Sequence, residues 1–110
     1  MTVGNAFAAG APYRSWIVGH FVEGPLHSDE VEVKWARHAA GDARQEWSAD
    51  EATTLCILVR GRFRILFPDG EALLAAEGDF AHWPPGLSHR WVADAESVVV
   101  TVRWPSSKRG

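Results

Sequence analysis

The chain has 110 residues, 46% of them hydrophobic and 23% charged, with a formal net charge of -3. That length holds one compact core and not two, and a mildly acidic chain whose only lysines are Lys34 and Lys108 lacks the basic stripe of a nucleic-acid binder. A single cysteine, Cys56, excludes an intrachain disulfide and any paired-cysteine metal or redox motif. No apolar run approaches a membrane span, and the N-terminus shows no charged segment followed by an apolar signal core. A cytoplasmic protein that engages neither nucleic acid nor membrane is the expectation. Six tryptophans are the unusual feature, because indoles are costly to expose and point to a packed barrel or a lined pocket.

In chain order, Met1 to Pro12 reads as an arm, and residues 1–29 as that arm plus the first strand or strands, a possible dimer contact. Trp16 to Val22, WIVGHFV, predicts a strand, with His20 and His27 in surface or turn hydrogen bonds. Val31 to His38, VEVKWARH, alternates Val31, Val33 and Trp35 on one face against Glu32 and Lys34 on the other, the latter read as an intrasheet ion pair that contributes little when exposed. Ser48 to Thr53 has room for one helical turn at most. Thr53 to Val59 is β-branched and apolar, and Arg62 to Phe67 alternates Phe63, Ile65 and Phe67 against Arg62, Arg64 and Leu66. Gly61 separates those two strands, and Pro68-Asp69-Gly70 is a turn. His82 and Trp83 close the strand before Pro84-Pro85-Gly86, and Glu96 to Trp104 is the last strand. Seven to nine short strands predict an all-β sandwich or barrel over residues 30–104. Residues 105–110 form a C-terminal tail, expected to be mobile.

One motif narrows the class. From Gly78 the chain reads GDFAHWPPGLSHRWVA. Glycine, five residues, proline, one residue, glycine, two residues and histidine fall on Gly78, Pro84, Gly86 and His89. In this spacing the chain resembles the small single-domain cupins, whose fold is a double-stranded β-helix, or jelly roll. The resemblance implies an earlier motif, glycine, five residues, His-x-His, three or four residues, glutamate, six residues, glycine. Counted from Gly41 and Gly61, its ligand positions are Trp47, Ala49 and Thr54. The glycine frame survives and three ligands are replaced.

The resemblance also implies where a metal would sit, between three imidazoles and one carboxylate. Here that frame offers one donor, His89, and a first-row divalent ion needs several at once. No cofactor is therefore expected. A rebuilt divalent-metal site stays open, with His89 joined by His38, Cys56, Glu46 or Glu51 if a bulge turns one of them inward. Asp50 lies in the same stretch. The plainer reading of Cys56 is a small buried hydrophobe. For His89 it is a histidine bonded to Thr54 or to a backbone carbonyl.

Register then gathers a pocket. Trp91 shares the His89 face, Trp47 shares the inward register with Ala49, and Thr54, Cys56 and Leu58 alternate inward on the strand between. The expectation is an apolar, Trp-lined cavity with few polar handles, suited to a small organic molecule. Three functions follow. One is a metal-free binder that uses His89 and Thr54 as polar contacts. Another is a cupin enzyme (isomerase, dioxygenase or cyclase type) with His89 as general base or in an atypical metal site. The third is a regulatory or interaction module with a filled barrel. WIVGHFV and the face of Leu55, Ile57 and Val59 are material for a homodimer.

Overall fold

Turn chemistry cuts the chain into short extended segments, and each segment finds an antiparallel neighbour. A computed structural model describes residues 1–106. Its strands are β1 (Trp16–Val18), β2 (Glu32–His38), β3 (Thr53–Arg60), β4 (Phe63–Phe67), β5 (Gly70–Leu74), β6 (Phe80–Trp83), β7 (Arg90–Ala93) and β8 (Ser97–Trp104). One sheet has the order β1-β2-β8-β3-β6 and the other β5-β4-β7. All the strand pairs are antiparallel, and the two sheets make an all-β jelly-roll barrel.

β2, β3, β4 and β8 begin and end within one residue of the predicted segments. β1 is shorter than WIVGHFV suggested. Its register against β2 slips between Trp16 and Val18, and from Gly19 the chain turns, with Val22 N–H donating to Gly19 O at 3.2 Å. β5 carried no alternation to announce it. The turn at Pro68-Asp69 returns it in register against β4, with Phe67 opposite Gly70 and Phe63 opposite Leu74.

The termini are tied to the barrel. Asn5 Oδ1 accepts from Phe7 N–H at 3.0 Å, capping a single helix α1 (Ala6–Gly10), as short polar side chains do at helix starts. Phe7 packs edge-on against Trp35 at 5.8 Å, so the N-terminal segment covers the outer face of β2. Ser106 is buried and joins a hydrogen-bond network described below, so the first two tail residues lead into the barrel. Residues 107–110 lie outside the described residues. Ser48 to Thr53 forms no helical turn; Asp50 Oδ1 instead accepts from Ala52 N–H at 3.1 Å.

The smaller sheet obeys the expected alternation. Phe63 and Ile65 point inward with Leu74, Trp91 and Ala93, and meet Leu58 and Val99 of the larger sheet. Arg64 faces out, where Nε and Nη2 donate to the two carboxylate oxygens of Asp94 at 2.8 and 2.9 Å. Gly61 makes the step from β3 to β4 at φ +110, and a side chain there would strike the Glu96 carbonyl and Ser97. Both the conformation and the close approach require glycine.

The larger sheet reverses the prediction for β2. Lys34, Ala36 and His38 face the interior, while Val33 and Trp35 take the outer face under α1. The registers line up three inward rows across the sheet. Ala36, Val99 and Leu58 form the first, which is apolar. Trp16, Lys34, Thr101, Cys56 and Ala81 form the second. Glu32, Arg103, Thr54 and Trp83 form the third, so polarity rises from one end of the barrel to the other. The outer rows are Trp35, Val100, Ile57 and Phe80, and then Val33, Val102, Leu55 and His82. Glu32 is no exposed partner of Lys34: it is buried and pairs with Arg103.

Candidate functional site

Between the sheets lies a cavity of about 90 Å³. That is far above the roughly 10–15 Å³ that one buried water requires, so the barrel is not filled. Its lining includes Lys34, His38, Arg44, Asp50, Thr54, Cys56, Trp83, His89, Trp91 and Arg103. The expected residues Thr54, Cys56, His89 and Trp91 are thus brought together with residues that the sequence reading placed elsewhere.

Trp47, Ala49 and Leu58 do not line this cavity. Leu58 is in the core, on the apolar row. Trp47 and Ala49 are exposed, and register parity explains it. Residues 39–52 run as an irregular strip along β7, with Arg44 N–H donating to Trp91 O and Ser48 exchanging both backbone hydrogen bonds with His89. Directly opposed residues share a face, so Ser48 takes the side of His89 and its neighbours Trp47 and Ala49 point away. The Arg90 guanidinium carbon stands 5.0 Å from the Trp47 ring centre, on the outside. Arg44 and Asp50, on the even positions of the strip, reach the cavity instead, Arg44 at its exposed rim.

Polar groups make the cavity unlike the apolar one expected. Arg103 Nε stands 2.8 Å from Glu32 Oε1 as an ion pair without the alignment of a hydrogen bond, and Arg103 Nη1 donates to Asp50 Oδ2 at 3.2 Å. The guanidinium also lies 4.3 Å over the Trp16 ring. Glu32 Oε2 accepts from Ser106 Oγ at 2.9 Å, and Ser106 in turn bonds to the His20 backbone and ring. This network closes the charged end of the barrel. His27 Nδ1 bonds to Val22 O at 3.0 Å in the preceding turn, and His82 is exposed, stacked over Trp104.

Lys34 differs from Arg103. Among the described residues no carboxylate lies within ion-pair distance of its ammonium, and Nζ stands 5.6 Å from the Trp16 ring centre. Burial, and then the charges of Arg103 and Arg44, hold its pKa below the ordinary lysine value. Burial, and then the charge of Lys34, lower His38, leaving a neutral imidazole. Burial pushes the Cys56 thiol up to about 12, so it stays protonated and unreactive at neutral pH.

Two buried polar atoms in the lining, Thr54 Oγ1 and Trp83 Nε1, have no hydrogen-bond partner among the described residues; their residues are 2% and 5% exposed. They sit side by side in the β3–β6 register. Buried hydroxyl and indole groups are ordinarily satisfied by protein, water or ligand. Gly86, at φ +83, completes the Pro84-Pro85-Gly86 reversal and delivers His89 to the cavity wall. His89 Nδ1 is 3.1 Å from the Leu87 carbonyl; a carbonyl only accepts, so Nδ1 carries the proton and Nε2 remains as the second polar atom.

The donor set does not fit a divalent ion. His38, Cys56 and His89 all line the cavity, but Glu46 and Glu51 are exposed, and among the described residues no group of three or more His, Cys, Asp or Glu comes together to hold a metal. Among the same residues no helix is long and apolar enough to cross a membrane.

No protein-family model matches the chain and no curated protein is similar to it at a significant level. Solved structures are. A cupin superfamily protein from Desulfitobacterium hafniense superposes with a TM-score of 0.65 at 19% identity, over 70% of this chain and 69% of that one. KdgF from a Halomonas species gives 0.66 at 19% identity over 74% and 75%. A cupin-2 domain protein from Shewanella frigidimarina gives 0.62 at 16% identity over 91% and 92%. The chain has the cupin fold.

Proposed function

We propose that this cupin-fold chain binds a small organic anion in its barrel cavity, without a metal. One observation carries the reading: the Lys34 ammonium has no carboxylate within ion-pair distance among the described residues, and it lines the same cavity as the unpartnered Thr54 hydroxyl and Trp83 indole. A half-buried cation without a counter-ion is unfavourable, and an entering carboxylate supplies the missing charge. Arg103 is already engaged by Glu32 and Asp50, so it adds positive potential while Lys34 provides the open contact. Trp16 and Trp91 give the ligand's carbon atoms apolar walls, the Thr54 hydroxyl and Trp83 indole donate to its oxygens, and His89 Nε2 accepts from a hydroxyl where the ligand carries one.

Titration calorimetry with short carboxylates and their neutral amides tests the reading. The carboxylates bind and the amides bind at least about tenfold more weakly, the loss of one charge-assisted contact; equal affinity for both contradicts it. One stoichiometric Fe, Mn, Ni or Zn per chain after chelator-free purification overturns the metal-free part. The reading places the protein in the cytoplasm as a homodimer. Phe80, Ile57, Val100, Leu55 and Val102 offer an apolar patch on the outer face of the larger sheet for the second copy. A monomer mass by light scattering at micromolar concentration contradicts the dimer.

A further inference from the structure

Lys34 is the only lysine among the described residues, and its half-buried side chain lines the barrel cavity. Among the described residues its amine is in no salt bridge, unlike the guanidinium of Arg103. Thr101, which Lys34 opposes, and Arg103 lie two residues apart on the same face of β8, a spacing of roughly 7 Å along a strand. The Lys34 and Arg103 side chains both line the cavity, so one short ligand can meet the positive potential of Arg103 with its carboxylate and the Lys34 amine with the carbon next to it. Thr54 Oγ1, buried and unpartnered in the Arg103 row, offers a hydrogen bond to a second oxygen. A cavity of about 90 Å³ restricts such a ligand to a few carbons.

We propose that the cavity takes short 2-oxo acids and that Lys34 Nζ condenses reversibly with their carbonyl carbon to form an imine. The proposal rests on the anion-site reading and names its ligand class. The ammonium first releases one proton to water. The Nζ lone pair then attacks the carbonyl carbon and the oxygen takes up a proton. The C–O bond breaks as the C=N bond forms, and the oxygen leaves as water with the second amine proton. A protonated lysine and a carbonyl thus become a protonated imine and one water, with no oxidant or reductant.

The electrostatics favour this step. Burial and the two guanidiniums lower the basicity of Lys34, which raises the fraction of nucleophilic amine, as at other lysines that form Schiff bases. The competing nucleophile in the lining, Cys56, is held as the thiol by burial. Thiohemiacetal formation is therefore suppressed and the amine is left to react.

Reductive trapping tests it on the full chain. Pyruvate and sodium cyanoborohydride are added at neutral pH and the reduced adduct is located by peptide mapping. Calorimetry measures binding of lactate, which has the carboxylate and no carbonyl. The expected result is labelling of Lys34 about tenfold or more above Lys108, because its basicity is lowered and the ligand is held in the cavity that it lines, and suppression of that labelling by excess lactate. Lactate binding without a Lys34 adduct overturns the imine and leaves the anion site standing. Failure of both pyruvate and lactate to bind overturns the anion site as well. These measurements use the unaltered protein, and Lys34→Arg, which keeps the charge, serves as a control that binds lactate and yields no adduct at that position.

Discussion

The two sheets of this barrel use the same alternation with opposite polarity. In the three-stranded sheet Phe63, Ile65 and Trp91 point in while Arg64 points out to Asp94. In the five-stranded sheet Lys34, Arg103 and Glu32 point in, while Val33, Ile57, Val100 and Phe80 take the outer face. A sheet that needs only to fold buries its apolar face. On the proposal above, the inward charge serves a ligand and the outward apolar surface a second copy. The buried core draws on both sheets, with Phe63, Ile65, Leu74 and Ala93 from the smaller and Cys56, Leu58, Trp83 and Val99 from the larger.

The largest expected effect concerns Cys56 on the inner face of the larger sheet. With its pKa moved from 9.0 to about 12, the native thiol presents roughly a thousandfold less thiolate at a given pH than an unperturbed one. Labelling by iodoacetamide at pH 8 is slowed correspondingly until the protein is unfolded; equal rates in the native and unfolded states contradict a buried Cys56. Next comes the core of the smaller sheet. Ile65, 1% exposed, sits where two sheets meet, and Ile65→Ala costs about 2–5 kcal/mol by chemical denaturation. A loss below about 1 kcal/mol would contradict a tightly packed core at Ile65.

Lys34→Met sharpens the comparison from the other side. Replacing the half-buried ammonium, which has no carboxylate partner among the described residues, with an apolar chain of similar length leaves stability unchanged or raises it by up to about 1 kcal/mol, while carboxylate binding is lost. A large destabilisation would mean that Lys34 holds the fold together. The smallest effect is on the outer face of the smaller sheet. The hydrogen bonds from Arg64 hold the Asp94 pKa below the usual carboxylate value. Its contribution is therefore present above the unfolded pKa and is lost as pH falls through the folded one. Asp94→Asn lowers the urea midpoint at pH 7 and makes no difference at a pH below both values.

The fold was legible because turn residues and period-two runs are local signals. Pro68-Asp69-Gly70, Pro84-Pro85-Gly86 and Gly61 punctuate the chain where the structure turns, and the glycine, proline and histidine spacing from Gly78 pointed to the jelly roll. The site was only half legible, because alternation says that two faces exist and not which one faces in. VEVKWARH presents an apolar and a charged face, and hydrophobicity alone buries the wrong one. Pairing decides it: β2 opposes β8 so that Lys34 meets Thr101 and Glu32 meets Arg103, and the inward Arg103 takes Glu32 with it. Trp47 and Ala49 failed for a related reason. Residues 39–52 form no regular strand, so a count from Gly41 carried no parity, and the Ser48–His89 pairing set it one residue away. Arg103 near the end of an otherwise apolar strand, and Glu32 and Lys34 on a single strand face, were the signals in the sequence that a charged interior was being built.

The central claim is that Lys34 makes the cavity an anion site. Ligands that bind only the folded state raise its apparent stability, so the direct test is the urea midpoint of the wild type and of Lys34→Met, each with and without millimolar pyruvate. The account predicts that pyruvate raises the wild-type midpoint and leaves that of Lys34→Met unmoved, with both proteins equally stable in its absence or the variant slightly more so. An equal response of the two proteins to pyruvate, or no response of either, contradicts it.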